Sequence, residues 1–236
     1  MIRVRELGRV DYLETWAAMK EFTARRDGAT DDELWLVEHP PVYTLGQAAR
    51  REHLRWEGAL PPSAIPVVAT DRGGQVTYHG PGQVIVYTLV DLGRAGFFVR
   101  ELVHRIEESV IQTIEPYDLV GTRVRGAPGV YVPLPGFRAR GEPADARFSG
   151  KAKIAALGIK VHRGCAYHGV ALNVAMNLEP FSAIDPCGYR GLTAVDLATL
   201  GACADWNTNA QRLVERLLAH LEPTARARAR MAHSHC

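Results

Sequence analysis

Residues 83–90 read QVIVYTLV, an almost entirely apolar run that is rich in β-branched side chains. Such a run is typical of a strand buried on both faces, and it predicts a central strand. Apolar residues then recur at helical spacing from Val99 to Ile114, which predicts a helix over 97–115 that covers the sheet. Further strands are predicted at 33–37, 65–69, 119–125, 153–162 and 166–174, and further helices at 11–27 and around 213–221. Strands in runs with helices laid over them indicate an α+β fold.

Length and composition predict an ordinary globular protein. The chain has 236 residues, of which 23% are charged and 47% belong to the AVILMFWYC set. We expect a single domain over residues 1–222, followed by a flexible tail over 223–236. A net charge of +2 argues against a nucleic-acid partner. No apolar run approaches the roughly 18 residues of a membrane span, so we expect no membrane association and a cytoplasmic location.

The basic residues are nearly all arginine. Only four lysines occur, which leaves 24 of the 28 basic positions to arginine, and Lys151, Lys153 and Lys160 lie within ten positions. Lys153 begins an apolar strand, so its stem lies against the sheet and burial lowers its pKa from about 10.4. A cation beside a thiol increases the thiolate fraction. The alternative is a surface lysine whose amine reaches into water.

A glycine-rich segment over residues 72–83 reads RGGQVTYHGPGQ. Its glycines allow the backbone to approach a ligand closely, while Arg72 and His79 supply polar groups. The alternative is a simple hairpin turn. The chain contains neither a P-loop nor a G-x-G-x-x-G pattern, which disfavours an ATP-driven mechanism.

Four cysteines, at positions 165, 187, 203 and 236, are too scattered for a disulfide framework and are expected to be free thiols. Cys187 lies between Pro186 and Gly188 in a polar loop, which suits an accessible nucleophile. The alternative is a buried cysteine that behaves as a small hydrophobe, and we expect this of Cys203 and Cys236.

A third pattern, His162-x-x-Cys165-x-x-His168, resembles the spacing of metal ligands. In an extended strand, however, Cys165 points away from both histidines, and no C-x-x-C pair supplies further ligands. We therefore expect no metal.

Taken together, these segments resemble the lipoyl(octanoyl) transferase family, whose members move an octanoyl group from acyl carrier protein to a lysine of a lipoyl domain. The resemblance runs from residue 38 to residue 196 and rests on EHPPVYTLG at 38–46, the segment 72–83, KIA at 153–155 with Gly158, HG at 168–169 with ALN at 171–173, and DPCG at 185–188. The chain departs from the family at Asp185, where asparagine is more frequent, and in a long Pro/Arg-rich loop before Lys151.

The resemblance implies that Cys187 is the acyl-thioester nucleophile and that Lys153 activates it. It also implies a substrate-binding set that consists of Arg72, Gly73, Gly74, Gln75, Val76, Thr77, Tyr78, His79, Ala156, Leu157, Gly158, Gly169, Val170 and Ala171. The implied fold is a mixed β-sheet with helices on one side, similar to the catalytic domain of biotin and lipoate protein ligases. His79 and His168 are candidates for holding the thioester oxyanion.

The resemblance further implies the partners of the reaction. The donor is octanoyl-acyl carrier protein, and the acceptors are the lipoyl domains of 2-oxoacid dehydrogenases and the glycine cleavage H protein. Exchange between thioesters needs no cofactor, and we expect a monomer. The Arg-rich loop 138–147 and Lys151 could steer acidic partners. The alternatives are an ATP-dependent lipoate or biotin ligase and a non-enzymatic module that binds acyl carrier or lipoyl domains.

Overall fold

The structure, a computed structural model, describes residues 2–56, 64–134 and 145–223. In chain order its strands and helices are β1 (Ile2–Arg9), α1 (Tyr12–Arg25), β2 (Asp32–Glu38), β3 (Val42–Leu45), β4 (Val67–Ala69), β5 (Val76–His79), β6 (Gln83–Asp91), α2 (Leu92–Ala95), α3 (Val99–Ile114), β7 (Thr122–Val124), β8 (Ala127–Pro133), β9 (Lys151–His162), β10 (Cys165–Asn173), β11 (Thr193–Ala194) and α4 (Trp206–Leu221). The helices predicted at 11–27 and 97–115 are thus confirmed as α1 and α3.

The large sheet is mixed and has the order β1-β2-β6-β10-β9-β8-β7, with β11 added beside β9. The pairs β1–β2 and β9–β11 are parallel, and the other neighbours are antiparallel. Strand β6 lies between β2 and β10 and is buried from Gln83 to Val90. The prediction that the QVIVYTLV run forms an interior strand is confirmed.

Both faces of the large sheet are covered. Val84 and Val86 of β6 join a core cluster with Leu102 of α3 and Leu213 of α4. On the other face, side chains of β6 join a cluster with Met19 of α1. The expected α+β fold with a mixed sheet is confirmed, and α3 and α4 share one face as expected. Helix α1 lies on the opposite face, because the alternating side chains of β6 are apolar on both sides and each side needs cover.

A second, three-stranded sheet has the order β4-β3-β5. It has its own apolar cluster, which includes Tyr43, Tyr78 and Phe181. The backbone N–H of Gly73 donates to the Ile159 carbonyl of β9 over 3.0 Å, which ties the segment before β5 to the large sheet. The space between the two sheets becomes the cleft of the candidate site.

Strands β1, β5 and β8 were not anticipated, and each lacks the usual pattern. Strand β1 (IRVRELGR) is largely exposed and charged, β5 lies inside the glycine-rich segment, and β8 contains two prolines and a glycine. The loop 138–147 lies outside the described residues up to position 144, and so does the tail from position 224. No helix in the described ranges is both long and apolar enough to span a membrane.

Candidate active site

Cys187 lies in a single 3₁₀ turn over Pro186–Gly188. Its backbone has φ +56°, a left-handed conformation that is uncommon for a residue other than glycine and that recurs at functional sites. The Gly188 N–H closes the turn by donating to the Asp185 carbonyl over 2.8 Å. The Asp185 carboxylate accepts hydrogen bonds from Arg55, with an Nε–Oδ1 distance of 2.7 Å. The departure from asparagine at position 185 thus allows an ion pair that anchors the turn.

Gly188 has a steric reason to be glycine. Its φ is +76°, and a Cβ atom there would lie 2.9 Å from the His53 ring and 3.0 Å from the Gln75 side chain. The cysteine turn therefore packs directly against the glycine-rich segment.

Lys153 is the second group of the site, and its side chain is only 4% exposed. Its Nζ donates to Cys187 Sγ over 2.7 Å, to the Pro128 carbonyl over 2.9 Å and to the Tyr131 hydroxyl over 3.2 Å. All three N–H bonds of an ammonium group are therefore used. Strand β9 carries the lysine to the thiol although 34 positions separate them in the chain.

The direction of the Lys153 pKa shift differs from the expectation. Burial lowers the pKa of Lys153, but the facing Cys187 thiolate and Tyr131 oxygen outweigh it, so the pKa of Lys153 is raised. The expected lowering is therefore wrong for the free enzyme, because the sequence reveals burial but not the facing anion. Burial raises the pKa of Tyr131 to about 12, so its hydroxyl stays protonated. That hydroxyl donates to the Ala127 carbonyl over 3.0 Å, which leaves its oxygen free to accept from Lys153.

Cys187 lies in the lining of a cleft of about 490 Å³, a volume that includes the open mouth. Twelve of the fourteen predicted substrate-binding residues also line it: Arg72, Gly74, Gln75, Val76, Thr77, His79, Ala156, Leu157, Gly158, Gly169, Val170 and Ala171. The other two, Gly73 and Tyr78, lie outside the lining. Gly73 is used as a backbone link to β9, and the Tyr78 ring packs on Tyr43 and Phe181 in the small sheet.

Four further residues line the cleft outside the predicted substrate-binding set: Tyr12, Ile85, Tyr87 and His168. Ile85 and Tyr87 alternate along β6 on the face toward α1, so the period-two pattern of that strand could have identified them. Tyr12 comes from the first turn of α1, and no local pattern signals its role. His168 had been considered only as an oxyanion donor and as a metal ligand.

Close packing of the cleft wall depends on Gly158 of β9. A Cβ atom at this position would lie 2.8 Å from the Gly73 carbonyl oxygen and 3.2 Å from Arg72 Cδ. Only a residue without a side chain therefore allows the glycine-rich segment to cross β9 at this point.

The histidines of the cleft are held by other side chains. His79 Nδ1 lies 2.8 Å from Gln83 Oε1, and its Nε2 lies 3.4 Å from the Thr44 hydroxyl. A proton on Nδ1 would donate to Gln83 Oε1 and leave Nε2 as an acceptor, so this arrangement does not support His79 as an oxyanion donor, and that role stays a prediction. Burial lowers the pKa of His79 to about 3, which keeps it neutral.

The His168 ring binds Asp71, with an Nε2–Oδ1 distance of 2.9 Å. Asp71 also accepts hydrogen bonds from Tyr167 and Trp16. Burial raises the pKa of Asp71, but these hydrogen bonds outweigh it and hold the pKa far below its usual range. Asp71 therefore clamps the start of the glycine-rich segment to β10 and α1.

The other cysteines have different surroundings. Cys165 is buried in β10, and burial raises the pKa of its thiol. Cys203 is exposed, so the expectation that it is buried is wrong; it lies in the loop that precedes α4. Cys236 lies outside the described residues. Within the described ranges, no group of three or more His, Cys, Asp or Glu side chains could hold a metal.

These features agree with the comparisons to known proteins. The family described as "Lipoyl protein ligase A/B catalytic domain" matches residues 11–222 of this chain, and the chain belongs to this family. The chain is 56% identical over 228 residues to an octanoyltransferase of Polaromonas naphthalenivorans, covering 94% of this chain and 99% of that protein. It is 54% identical over 226 residues to an octanoyltransferase of Albidiferax ferrireducens, covering 92% and 96% respectively.

Solved structures share the fold at low identity. A bi-partite lipoate protein ligase from Thermoplasma acidophilum matches with a TM-score of 0.69 at 13% identity, over 96% of this chain and 89% of that chain. A biotin protein ligase from Aquifex aeolicus matches with a TM-score of 0.51 at 12% identity, over 93% and 70%. The expected similarity to the catalytic domain of these ligases is confirmed at the level of the fold.

Proposed function

We propose that the protein transfers an octanoyl group from octanoyl-acyl carrier protein to a lipoyl-domain lysine, through a thioester on Cys187. This is the first step of endogenous protein lipoylation, and residues 1–222 would form the single catalytic domain. One observation carries the proposal: Lys153 Nζ lies 2.7 Å from Cys187 Sγ, and Cys187 lines a cleft. The octanoyltransferases at 54–56% identity support the choice of acyl group.

The first half-reaction begins from the ammonium–thiolate pair. The Cys187 thiolate attacks the carbonyl carbon of the donor thioester and forms a new carbon–sulfur bond. The bond from that carbon to the carrier's sulfur breaks, and the departing thiolate takes a proton from the Lys153 ammonium. One thioester replaces another, so this step needs no cofactor and no external energy source.

Acylation then changes the charge of Lys153. Once Cys187 is a neutral thioester, the largest influence that raises the pKa of Lys153 is gone, while burial continues to lower it. The resulting neutral amine suits a general base. It takes a proton from the acceptor lysine as that amine attacks the thioester carbonyl. The Cys187 thiolate leaves, and the ion pair is restored.

The cleft offers an apolar path for the acyl chain. Its lining includes Val76, Ile85, Leu157 and Val170, so apolar side chains border the space that opens beside Cys187. At about 0.8 kcal/mol for each buried methylene, an eight-carbon chain gains several kcal/mol of binding free energy.

The partners proposed for the two half-reactions are octanoyl-acyl carrier protein as donor and lipoyl domains of 2-oxoacid dehydrogenases and the glycine cleavage H protein as acceptors. Arg147 lies on the surface before β9, and Lys151 is the first residue of that strand; both could attract acidic partners, although Arg147 also pairs with Asp145 at 2.6 Å. Binding rates that fall as salt is added would support this role. A monomeric state and a cytoplasmic location remain sequence-based predictions.

Transfer can be tested with intact-mass spectrometry of a lipoyl domain after incubation with octanoyl-acyl carrier protein and enzyme, without ATP. We expect an octanoyl adduct on the lipoyl domain with the wild type and with the matched control Cys165→Ala. Cys187→Ala should give none. Transfer that requires ATP and releases pyrophosphate would instead identify a ligase, and complex formation without transfer would identify a binding module.

A further inference from the structure

One peptide group connects helix α3 to the Lys153 amine. The carbonyl of the Pro128–Gly129 peptide accepts a hydrogen bond from Lys153 Nζ over 2.9 Å. The N–H of the same peptide donates to Glu107 Oε1 over 2.9 Å. A carboxylate, a peptide and an ammonium group therefore form one hydrogen-bonded chain, in which each bond polarises the next.

Glu107 itself is firmly held. It is 7% exposed, and its second oxygen accepts from Arg123 Nε over 3.2 Å. The guanidinium compensates a carboxylate that would be costly to bury alone. Arg123 also binds the neighbouring Glu108 through Nη2 over 2.6 Å. Glu107 and Glu108 thus share one cation, and of the hydrogen bonds described above only that of Glu107 reaches the peptide beside Lys153.

The local backbone needs an external support of this kind. Gly129 has φ +130°, and a Cβ atom there would lie 2.7 Å from Lys153 Cε and 2.8 Å from Lys153 Nζ. The pairing of β8 with β9 also shifts register between Val130 and Tyr131, a bulge directly beside the lysine. A glycine at a bulge does not fix its own peptide orientation, so the Glu107 carboxylate supplies the constraint.

We propose that Glu107 is a positioning residue, which holds the Lys153 ammonium against Cys187 by fixing the Pro128–Gly129 peptide. The role rests on the proposed function, because it matters for catalysis only if Cys187 and Lys153 carry the reaction. Without the carboxylate, the peptide is free to turn and the ammonium loses one of its three acceptors. The thiolate is then less stabilised.

The sign of the effect separates positioning from a simple change of charge. The charged and titratable groups around the dyad are Tyr131 on β8, Arg72 across the cleft, His53 and the Asp185–Arg55 pair at the cysteine turn and, through the peptide, the Glu107–Arg123 pair. Removal of a negative charge alone would favour a thiolate and lower its titration midpoint. Loss of the lysine's position would raise that midpoint.

The test compares Glu107→Ala, Glu107→Gln and the matched control Glu108→Ala, which loses a contact to the same Arg123. The rate of iodoacetamide alkylation of the Cys187 peptide is measured by mass spectrometry as a function of pH, together with kcat and KM for octanoyl-acyl carrier protein. For Glu107→Ala we expect the alkylation midpoint to rise by about one pH unit, with kcat about tenfold lower and KM little changed. Glu108→Ala should match the wild type.

Glu107→Gln keeps an oxygen that can accept from Gly129 and loses only the charge, so its midpoint should lie at or below that of the wild type, with kcat close to the wild-type value. If Glu107→Ala does not fold, Glu107→Leu, which also lacks the acceptor, takes its place in the comparison. A midpoint that is unchanged or lower in a folded variant without the acceptor would overturn the proposal. Failure of the wild type to form an octanoyl adduct would instead reject the proposed function, while the alkylation midpoint would still report on the position of Lys153.

Discussion

Lys153 and His79 are two buried bases beside the same cleft, 4% and 7% exposed, and their charges differ. Burial is the largest influence on both and lowers the pKa of each. For His79 the neighbouring charges of His39, Arg72 and His168 act in the same direction as burial, and its pKa falls to about 3. For Lys153 the facing Cys187 thiolate reverses the direction. The facing group, and not the depth of burial, decides which base keeps its proton.

The part of the cleft wall around His79 is neutral for the same reason, in contrast to the Cys187–Lys153 pair. Tyr12 and Tyr87 are buried near His79, and burial raises the pKa of both, so their hydroxyls stay neutral. Arg72 is the exception, since a guanidinium keeps its proton even though burial lowers its pKa. Its guanidinium donates to Thr44 and to the Gly73 carbonyl. The groups near His79 therefore do not exchange protons near neutral pH, and the pair that can do so lies at the Cys187 turn.

The largest effect should come from removal of the charged base. Lys153→Ala should lower octanoyl transfer by about 10³-fold, because the thiolate loses its cation and the reaction its proton carrier. The measurement is the initial rate of transfer, with circular dichroism to show that the fold is kept. Lys160→Ala, on the same strand, is the matched control and should transfer normally. Wild-type rates in Lys153→Ala would reduce this residue to a structural role.

A smaller loss is expected when the lysine is displaced but kept. Gly129→Ala should reduce kcat by about 10²-fold, since its Cβ would collide with the Ala155 carbonyl oxygen of β9, 2.5 Å away, and with the Lys153 side chain, and a displacement of about 1 Å has effects of this size. Gly126→Ala is a control in the same hairpin. It also has positive φ, +79°, but its Cβ would lie near Arg147 and not near Lys153. Equal losses in the two variants would assign the effect to backbone strain alone.

Removal of a single acceptor should cost less again. Tyr131→Phe deletes the hydroxyl that lies 3.2 Å from Lys153 Nζ and keeps the ring that packs on Phe148. We expect kcat to fall about tenfold, the lower end for a hydrogen bond to a charged group. Steady-state kinetics with octanoyl-acyl carrier protein provide the measurement. An unchanged kcat would indicate that Pro128 and Cys187 suffice to hold the amine.

The smallest effect is expected for His79, the neutral base, and it appears in the pH dependence of the free energy of unfolding. The unfolded chain protonates His79 near pH 6.5, whereas the folded protein does so only near pH 3. Stability is therefore unaffected above about pH 6.5 and falls as the pH drops below it, by up to about 1.4 kcal/mol per pH unit for this site. Urea unfolding between pH 6.5 and 5 should show a shallower decline in His79→Gln. The exposed His104→Gln should keep the wild-type slope, and equal slopes in all three proteins would show that His79 is not held neutral.

The sequence predicted the parts of the fold that carry a long, regular pattern. Strand β6 and helix α3 each repeat their apolar period over many residues, so burial could be inferred directly. Strand β5 was hidden, because glycine-rich segments also form turns. Helix α1 was predicted, but the face of the sheet that it covers was not. Helices α3 and α4 occupy one face of β6, so α1 packs on the other.

The candidate site was predicted in part for a similar reason. Cys187 and Lys153 stand out by their neighbours in the chain, but their 2.7 Å contact arises from the pairing of β9 with β8 and β11. Glu107 gives no such signal, since it occupies one polar position of an amphipathic helix. Its burial becomes visible only when the β7–β8 hairpin is packed on α3.

The protonation state of Lys153 is the most direct test of why the two bases differ. With only four lysines in the chain, the side-chain NMR signals of ¹³C,¹⁵N-labelled lysine can be assigned by single substitutions and followed with pH. We predict that Lys153 of the free wild-type enzyme titrates above the ordinary lysine value of about 10.4, and that Cys187→Ala moves this titration to lower pH. A wild-type titration below 10.4, or one that Cys187→Ala leaves unchanged, would contradict the assignment of an ammonium–thiolate pair.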